Sequence, residues 1–350
     1  MSRYVLLLLR IVLIPVSLCY GLLTEIRNIL YDMGLLPAYK SKIPVVSVGN
    51  ISVGGTGKTP FTIWLAQHLG QRFKRIAIVS RGYKRRGRGL KIVAEQGKIL
   101  CDVQTAGDEP MLMAHKVKDA FILVSENRKK ALRHIELTEA ADLIILDDAF
   151  QHRRVARDAD VVLWRPGTFW DYWPLPTGRL REVVWRLKRA TYLLQRKGNA
   201  VDLATRLIPA QRRFTVDFEL GDVVDDSFRL QNKIEAWAGK RVVAFAGIAH
   251  PSSFFEMLAQ KGIVLAETVA FADHYRYTED DLSHLLHLCR KTGAQCLLCT
   301  EKDLVKIQEF LPVMEAELKV NGIFFGAVTL QVRLQREKEF MNDLIKRLTK

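Results

Sequence analysis

The fold of this chain is decided by residues 44–59, which read PVVSVGNISVGGTGKT. The apolar run at 44–48 predicts a strand, and the glycine-rich turn after it ends at Lys58 and Thr59. Apolar side chains then recur at helical spacing, so the order is strand, glycine turn and helix. This order is typical of a phosphate-binding loop, in which glycines let backbone N–H groups face a polyphosphate and the helix N-terminus adds its positive end.

We expect this loop to bind a nucleotide through Ser52, Val53, Gly54, Gly55, Thr56, Gly57, Lys58 and Thr59. Lys58 would reach the outer phosphates, and the Thr59 hydroxyl would ligate Mg²⁺. Ser52 stands where general phosphate loops carry their first glycine. A flexible surface loop is the alternative, and the strand before and the helix after the glycines argue against it.

Composition bounds the class of protein. The 350 residues suffice for one large or two ordinary domains, and an apolar fraction of 49% supports a real core. The net charge of +15 implies anionic partners such as phosphates, nucleic acid or an acidic membrane surface. The five cysteines form no paired framework, and Cys296 and Cys299 lie in an apolar run that predicts a buried strand rather than a metal site.

Residues 4–23 are almost wholly apolar, a length that would suit a transmembrane helix. Arg10 lies near the middle of this run, and Pro15 interrupts it. A polar residue recurs at every seventh position, at Arg3, Arg10, Ser17 and Thr24. On a helix this spacing makes a polar stripe, which favours a helix lying in the membrane interface with its basic side towards the headgroups. A true span and a buried helix are the alternatives.

Alternating strand and helix patterns follow the loop. Strands are predicted at 75–80, 120–124 and 141–146, with a small hairpin formed by 91–94 and 99–103. The pattern becomes polar around 196–240, and a new unit begins with a predicted strand at 241–247. We therefore predict an α/β protein with a mainly parallel sheet. Its predicted parts are an N-terminal apolar helix at 1–30, a phosphate-loop NTPase-type domain at 31–224 and a smaller α/β domain at 225–350 that closes over the active site.

Two carboxylates, Asp147 and Asp148, end the apolar run 143–146. In a phosphate-loop protein, an aspartate at a strand end faces the Mg²⁺ that the loop threonine holds. Adjacent residues of a strand point to opposite sides, so one of the two would meet the metal directly. A turn or a helix cap is the alternative use of such a pair.

The set of motifs as a whole resembles the tetraacyldisaccharide 4′-kinases of lipid A biosynthesis. In the family's order the motifs are SVGGTGKTP (52–60), SRGYKR (80–85), AGDEP (106–110), DDAFQHR (147–153), LPTGRLRE (175–182), FADHY (271–275) and TEKD (300–303). They extend from the N-terminal apolar helix almost to the end of the chain. Ser52 is expected in this family, whereas Ala149 stands where many relatives carry glycine.

The resemblance implies transfer of the ATP γ-phosphoryl group to the 4′-hydroxyl of a membrane-embedded, acylated glucosamine disaccharide 1-phosphate, giving lipid IV-A. The catalytic residues that it implies are Lys58, Asp108, Asp273 and His274. The metal and nucleotide region would be lined by Thr59, Asp147, Asp148 and Gln151. Further active-site candidates are Glu109, Arg128, Arg181 and Glu182.

In this implied mechanism Asp108 and His274 act together on the acceptor hydroxyl, and Asp273 supports His274. An alcohol that attacks a phosphoryl group gains from an aspartate that accepts its proton, and a paired histidine can orient that aspartate. Helix capping is the alternative role for Asp108, and an exposed loop position is the alternative for His274. Because the two residues belong to different predicted domains, the site would be complete only when the domains close.

The expected cofactors are ATP and Mg²⁺, and the expected location is the cytoplasmic face of the bacterial inner membrane. Attachment there would be peripheral or monotopic, with a single span as the alternative. We expect no nucleic-acid partner, because the aromatic residues do not alternate with a basic stripe as they do in RNA-binding signatures. We also expect no obligate protein partner. A membrane-associated GTPase or regulatory ATPase is the alternative enzyme class, although residues 300–303 have the wrong spacing for a guanine-binding element.

Overall fold

The computed structural model describes residues 3–165, 167–197 and 204–349. Its α-helices are α1 (Arg3–Val12), α2 (Ile14–Asp32), α3 (Lys58–Leu69), α4 (Val103–Ala106), α5 (Asp108–Lys116), α6 (Arg128–Leu137), α7 (Pro251–Gln260), α8 (Glu279–Thr292), α9 (Glu301–Ile307), α10 (Leu311–Val320) and α11 (Glu337–Leu348). Its strands are β1 (Val45–Asn50), β2 (Ile76–Ser80), β3 (Lys91–Glu95), β4 (Lys98–Ile99), β5 (Phe121–Val124), β6 (Leu143–Asp147), β7 (Ala159–Trp164), β8 (Tyr192–Arg196), β9 (Arg213–Val224), β10 (Leu230–Lys233), β11 (Arg241–Ala246), β12 (Val264–Ala270), β13 (Cys296–Thr300) and β14 (Phe324–Leu334).

The strands form one 14-stranded sheet in the order β12-β11-β13-β14-β9-β8-β7-β1-β6-β2-β5-β3-β4, with β10 beside β9. Strands β9, β8, β7, β1, β6, β2 and β5 are parallel and form what we call the N-terminal block. Strands β12, β11, β13 and β14 are also parallel and form the C-terminal block. The long antiparallel pair of β9 and β14 joins the two blocks. The predicted α/β class with a mainly parallel sheet is confirmed.

Because β9 and β14 are antiparallel, the strands of the N-terminal block and those of the C-terminal block point in opposite directions. Arg196, at the end of β8, pairs with Val216 of β9. Thr300, at the end of β13, pairs with Val328 of β14, which itself pairs with Val223 of β9. The carboxyl ends of both blocks therefore meet over the middle of the β9–β14 pair. Ligands of open α/β sheets bind at the carboxyl ends of strands, so this meeting point is where a site is expected.

Strands β7, β8, β9 and β10 were not predicted from the sequence. The expectation of a loose polar segment around 196–240 is wrong over β9, where Phe214, Val216, Phe218 and Leu220 alternate with polar residues and are buried. This period of two is the mark of a strand. The predicted strand around Cys296 and Cys299 is confirmed, and both cysteines are buried in β13.

The C-terminal helix α11 packs on the N-terminal block. Its Phe340 is fully buried, with its ring 5.1 Å from that of Tyr192, 5.3 Å from Phe214 and 6.2 Å from Phe61 of α3. After the C-terminal block the chain thus returns to pack against the hydrophobic core of the N-terminal block. The boundary between residues 224 and 225 stays a prediction, because the sheet runs through it without a break.

The N-terminal apolar segment forms two helices, and Pro15 lies in the first turn of α2. No helix within the described ranges combines the length and the apolar character needed to cross a membrane. Two polar positions of the seven-residue stripe, Arg10 and Ser17, contact the rest of the protein. Ser17 is fully buried and its Oγ accepts a 2.9 Å hydrogen bond from the Thr177 amide, while the Arg10 guanidinium lies 5.6 Å from the Trp170 ring centre. The outward face is apolar and carries Leu7, Leu8, Leu9, Ile11, Val12, Val16, Leu18, Leu22 and Leu23.

Candidate active site

The phosphate loop places two glycines in left-handed backbone conformations. Gly57 has φ of 86° and directly precedes Lys58, the first residue of α3. A Cβ added to Gly57 would lie 2.2 Å from Cζ of Phe218. Gly54 has φ of 102°, and its added Cβ would lie 2.1 Å from Nη2 of Arg179. Glycine is required at both positions, and the loop is held at the N-terminus of α3, where the helix dipole favours an anion.

A cavity of about 570 Å³ lies over this loop, where the carboxyl ends of the two blocks meet. The loop itself lines one wall, from Val53 to Pro60. The middle of the β9–β14 pair supplies Phe218, Leu220, Val328 and Leu330. Charged and polar side chains from both blocks complete the lining, among them Tyr83, Glu109, Asp148, Arg181, Asp273, His274 and Lys302. The cavity thus combines an apolar floor with a ring of charged groups, as small-molecule sites do.

Asp147, the last residue of β6, is buried beneath the cavity. Its side chain accepts 3.1 Å hydrogen bonds from Thr62 Oγ1 and Ser80 Oγ. Burial raises the pKa of Asp147 to about 7, and the nearby Glu109 and Asp148 carboxylates add to this rise. Removal from water disfavours the charged form, and a nearby cation would restore it.

Asp148 adopts φ of 45° and turns its side chain into the cavity. Its Oδ1 lies 3.6 Å from Nζ of Lys58, and Arg181 Nη1 donates to both carboxylate oxygens at 2.8 and 3.0 Å. Burial opposes ionisation of Asp148, but Lys58 and Arg181 outweigh it and lower the pKa. The structure therefore distinguishes the two aspartates, since Asp148 lines the cavity and Asp147 lies behind it.

Gln151 and Glu182 lie behind Asp148, outside the cavity lining. The Gln151 side-chain amide donates to the Asn50 carbonyl at 2.8 Å and to Glu182 Oε1 at 3.0 Å. Arg189 donates to the same Glu182 oxygen at 3.1 Å. Arg128, also buried, donates from Nη2 to the Asp147 carbonyl at 3.1 Å. Gln151, Glu182 and Arg128, all predicted as site residues, therefore support the segments around Asp147 and Asp148 and do not line the cavity.

Asp108 and His274 are brought together from the two blocks, although 166 residues separate them. His274 Nδ1 lies 2.8 Å from Asp108 Oδ2 and 3.1 Å from Oδ1. Burial opposes ionisation of Asp108, but the hydrogen bond from His274 and the charge of Lys302 outweigh it and lower the pKa to about 2. His274 has φ of 60°, a conformation that costs energy in a residue with a side chain and that clusters at functional sites.

The surroundings of this pair agree in part with the sequence prediction. Asp273 Oδ2 lies 3.8 Å from His274 Nε2, and the rings of Tyr83 and His274 form a T-shaped pair with their centroids 5.2 Å apart. Lys302 lies between Asp108 and Asp273, at 3.4 and 3.7 Å. Lys302 belongs to the TEKD motif (300–303), from which no role was predicted for it. The motif itself was the signal that could have identified it.

The donor chemistry beside the loop fits Mg²⁺. Thr59 lines the cavity and supplies a hydroxyl, and Asp148 supplies a carboxylate oxygen, with Asp147 behind it. In the part of the chain that the structure describes, no group of three or more His, Cys, Asp or Glu side chains could hold a metal by itself. Mg²⁺ is ordinarily held by one or two carboxylates together with phosphate oxygens of a substrate, and oxygen donors of this kind are present.

Comparison with known protein families places this arrangement in context. The family model described as tetraacyldisaccharide-1-P 4′-kinase matches residues 9–349. The chain is 35% identical to a tetraacyldisaccharide 4′-kinase of Chlorobium luteolum over 350 residues, which covers 97% of each chain. It is 38% identical to one of Syntrophotalea carbinolica over 322 residues, which covers 90% of this chain and 88% of the relative.

A solved structure shares the whole fold. It is described as the "apo" form of LpxK from Aquifex aeolicus in complex with ATP. The two chains are 32% identical and superimpose with a TM-score of 0.80, covering 97% of this chain and 99% of the other. The similarity therefore includes both blocks and the joint between them.

Proposed function

This chain belongs to the tetraacyldisaccharide 4′-kinase family, and we propose that the cavity between its two blocks is where the phosphoryl transfer of that family takes place. The protein is an ATP-dependent 4′-kinase of lipid A biosynthesis, and its substrate is a lipid A disaccharide phosphate. The observation that supports this location is that His274, whose Nδ1 lies 2.8 Å from Asp108 Oδ2, lines the same cavity as the phosphate loop.

In the proposed reaction, the 4′-oxygen of an acylated glucosamine disaccharide 1-phosphate forms a bond to the γ-phosphorus of ATP. The bond from that phosphorus to the β,γ-bridging oxygen breaks, ADP leaves with the electron pair, and lipid IV-A is formed. The hydroxyl proton passes to Asp108, which is a carboxylate at neutral pH because its pKa lies near 2. His274 holds that carboxylate through Nδ1, and Lys58 faces the outer phosphates.

Mg²⁺ would be held by Thr59 and Asp148, with Asp147 behind them. The bound ion would supply neutralisation of the charge on the phosphate oxygens. Gln151, predicted with these ligands, has its amide engaged by Asn50 and Glu182, so we assign it to positioning. Arg181 connects the proposed metal-binding residues to Gln151, because it donates to Asp148 and lies 3.5 Å from the Gln151 side-chain oxygen.

A peripheral location on the cytoplasmic face of the inner membrane is the second part of the proposal. It is supported by the outward apolar face of α1 and α2, where Leu8, Val12, Leu22 and Leu23 are each more than 60% exposed. Contiguous exposed apolar patches mark interaction surfaces, and a lipid substrate requires an enzyme that reaches the bilayer. The net charge of +15 favours an anionic surface.

The test is incubation of the full chain with ATP, Mg²⁺ and a detergent-dispersed acylated disaccharide 1-phosphate, followed by mass analysis for one added phosphate. Asp108→Asn is the matched control, because it keeps the shape of the side chain and removes the base. Product in the wild type and its near-absence in the variant are expected. ATP hydrolysis without an added phosphate on the lipid would instead support the regulatory ATPase alternative, and preference for GTP would support a GTPase.

A further inference from the structure

Lys302 lies in the first turn of α9, and its ammonium group occupies the junction of the two blocks. Nζ lies 3.4 Å from Asp108 Oδ2 and 3.4 Å from Glu109 Oε1, both on α5 of the N-terminal half. It also lies 3.7 Å from Asp273 Oδ1 and 3.5 Å from His274 Nε2 in the C-terminal block. Every one of these contacts is to the proposed acceptor-activating pair or to its direct neighbours in sequence.

The charges around Lys302 require a cation at this position. Asp108, Glu109 and Asp273 bring three carboxylates into one small volume, where they would otherwise repel one another. The Lys302 side chain is 18% exposed and that of Asp108 7%, so water screens them weakly. Burial alone would lower the pKa of Lys302, but Glu109, Asp108 and Asp273 outweigh it and raise the pKa. The side chain is therefore an ammonium throughout the neutral range.

Lys302 contacts Nε2 of His274 and also the Asp108 carboxylate that His274 Nδ1 meets. Oδ2 of Asp108 has two neighbours, His274 Nδ1 at 2.8 Å and Lys302 Nζ at 3.4 Å. When Nδ1–H donates to Asp108, the lone pair of a neutral imidazole is on Nε2, and Lys302 lies on that side. The ammonium thus limits where both the carboxylate and the ring can move.

We propose that Lys302 is a positioning residue of the phosphoryl transfer, which holds the Asp108 carboxylate against His274 by joining Asp108 and Glu109 of one block to Asp273 of the other. This inference rests on the function proposed above. Lys302 acts through Asp108 and takes no proton in the step. A consequence is that Lys302 adds a contact between α5 and the segment after β12 that touches the Asp108–His274 pair directly.

The test compares two substitutions of Lys302. Lys302→Met keeps the length of the side chain and removes the charge, so we expect kcat to fall about tenfold or more, while KM for ATP stays within about threefold. The charged and titratable groups that face Asp108 are His274, Lys302 and Lys306, and the backbone N–H of Glu109 donates to Asp108 Oδ1. Without Lys302, one of the charges that lower the Asp108 pKa against the effect of burial is lost. The Asp108 pKa then rises, and the acid limb of the kcat–pH profile moves to higher pH.

Lys302→Arg retains the charge and is expected to recover most of kcat and the original acid limb.

Lys116→Met is the matched control. Lys116 Nζ lies 2.6 Å from Glu301 Oε1, so this ion pair also joins α5 to α9 but lies away from Asp108 and His274. We expect the control to lower the melting temperature and to leave the acid limb of kcat in place. Equal losses of kcat in Lys302→Met and Lys116→Met, each with an unmoved acid limb, would overturn the positioning role.

A wild-type enzyme that forms no phosphorylated lipid would refute the proposed function, whereas an active wild type with an unaffected Lys302→Met variant refutes only this inference. If circular dichroism shows that Lys302→Met does not fold, Lys302→Gln, which keeps a hydrogen-bond donor without the charge, carries the same comparison.

Discussion

Asn28 of α2 donates a 2.7 Å hydrogen bond from Nδ2 to Oε2 of Glu182, across 154 residues of sequence. Both residues are only 2% exposed. Glu182 adjoins Arg181, the residue that holds Asp148, and the hydroxyl of Tyr20 donates to the Arg181 carbonyl at 2.9 Å. The N-terminal helix is therefore joined directly to the segment behind the proposed phosphate site. It is part of the support of that site as well as a surface for lipid.

Asn28→Leu should lower both stability and kcat. The substitution leaves Oε2 of a buried glutamate without this donor, and an unsatisfied buried polar group costs about 1–3 kcal/mol. Arg181 would be less firmly held, so kcat should fall more than KM for ATP rises. Thr24→Val is the control, because the Thr24 hydroxyl donates only to the Gly21 carbonyl one turn earlier. Thermal unfolding and steady-state kinetics of the two variants measure the difference, and equal behaviour would exclude the coupling.

Two truncations should separate the lipid surface from the support of the site. Deleting residues 1–12 removes exposed apolar side chains such as Leu8 and Val12 but leaves Ser17, Tyr20 and Asn28 in place. We expect it to weaken sedimentation with anionic vesicles and to raise KM for dispersed lipid, with kcat little changed. Deleting residues 1–23 should also reduce kcat, because the Tyr20 contact to Arg181 is lost. Unchanged vesicle binding after both deletions would assign attachment to another surface.

Lys58→Ala should abolish phosphoryl transfer and leave the fold intact. Removing a cation from the developing charge of a transferring phosphoryl group typically costs on the order of 3 kcal/mol or more in barrier height. The ammonium lies 3.6 Å from Asp148, so the variant also removes a partner of that carboxylate. Lys58→Arg serves as the charge-retaining control. Near-normal turnover of Lys58→Ala would exclude the loop as the catalytic nucleotide site.

Asp108→Ala and His274→Ala should each lower kcat strongly, and the double variant should lose much less than the product of the two. Groups that act as a unit are non-additive, and the 2.8 Å contact between them is the structural basis of that unit. The measurement is kcat for the four members of the cycle. Losses that multiply would mean that the two residues act independently.

Asp108 should also make stability depend on pH. Its pKa is lowered to about 2 in the folded protein, from 3.8 for the free side chain, so folding favours the charged form. The stabilisation, about 2 kcal/mol, is fully present above about pH 4 and is lost as pH falls through about 2. Denaturant unfolding of wild type and Asp108→Asn between these pH values should show this difference shrinking. A difference that is constant with pH would exclude the lowered pKa.

The loop and the strands around it could be predicted from sequence because their signals are local. Glycines at fixed offsets before Lys58 and an apolar run before Asp147 are each contained within a few residues. Strand β9 was missed although its alternation is clear, because the polar residues between its buried side chains resemble a loop in composition. Its long antiparallel partner, β14, comes from a distant part of the chain.

By itself the sequence determined the family and the strand–glycine turn–helix order of the loop, and it supplied Asp108 and His274 as candidates, since each belongs to a short motif with its own spacing. Only the tertiary structure decided that Asp148 rather than Asp147 lines the cavity, that Lys302 joins Asp108 to Asp273, and that the polar side of α2 faces inward. The physical reason is the antiparallel joint of β9 and β14. It brings the carboxyl ends of two parallel blocks together, and contacts across that joint depend on register and packing between segments more than 100 residues apart, which no local pattern records.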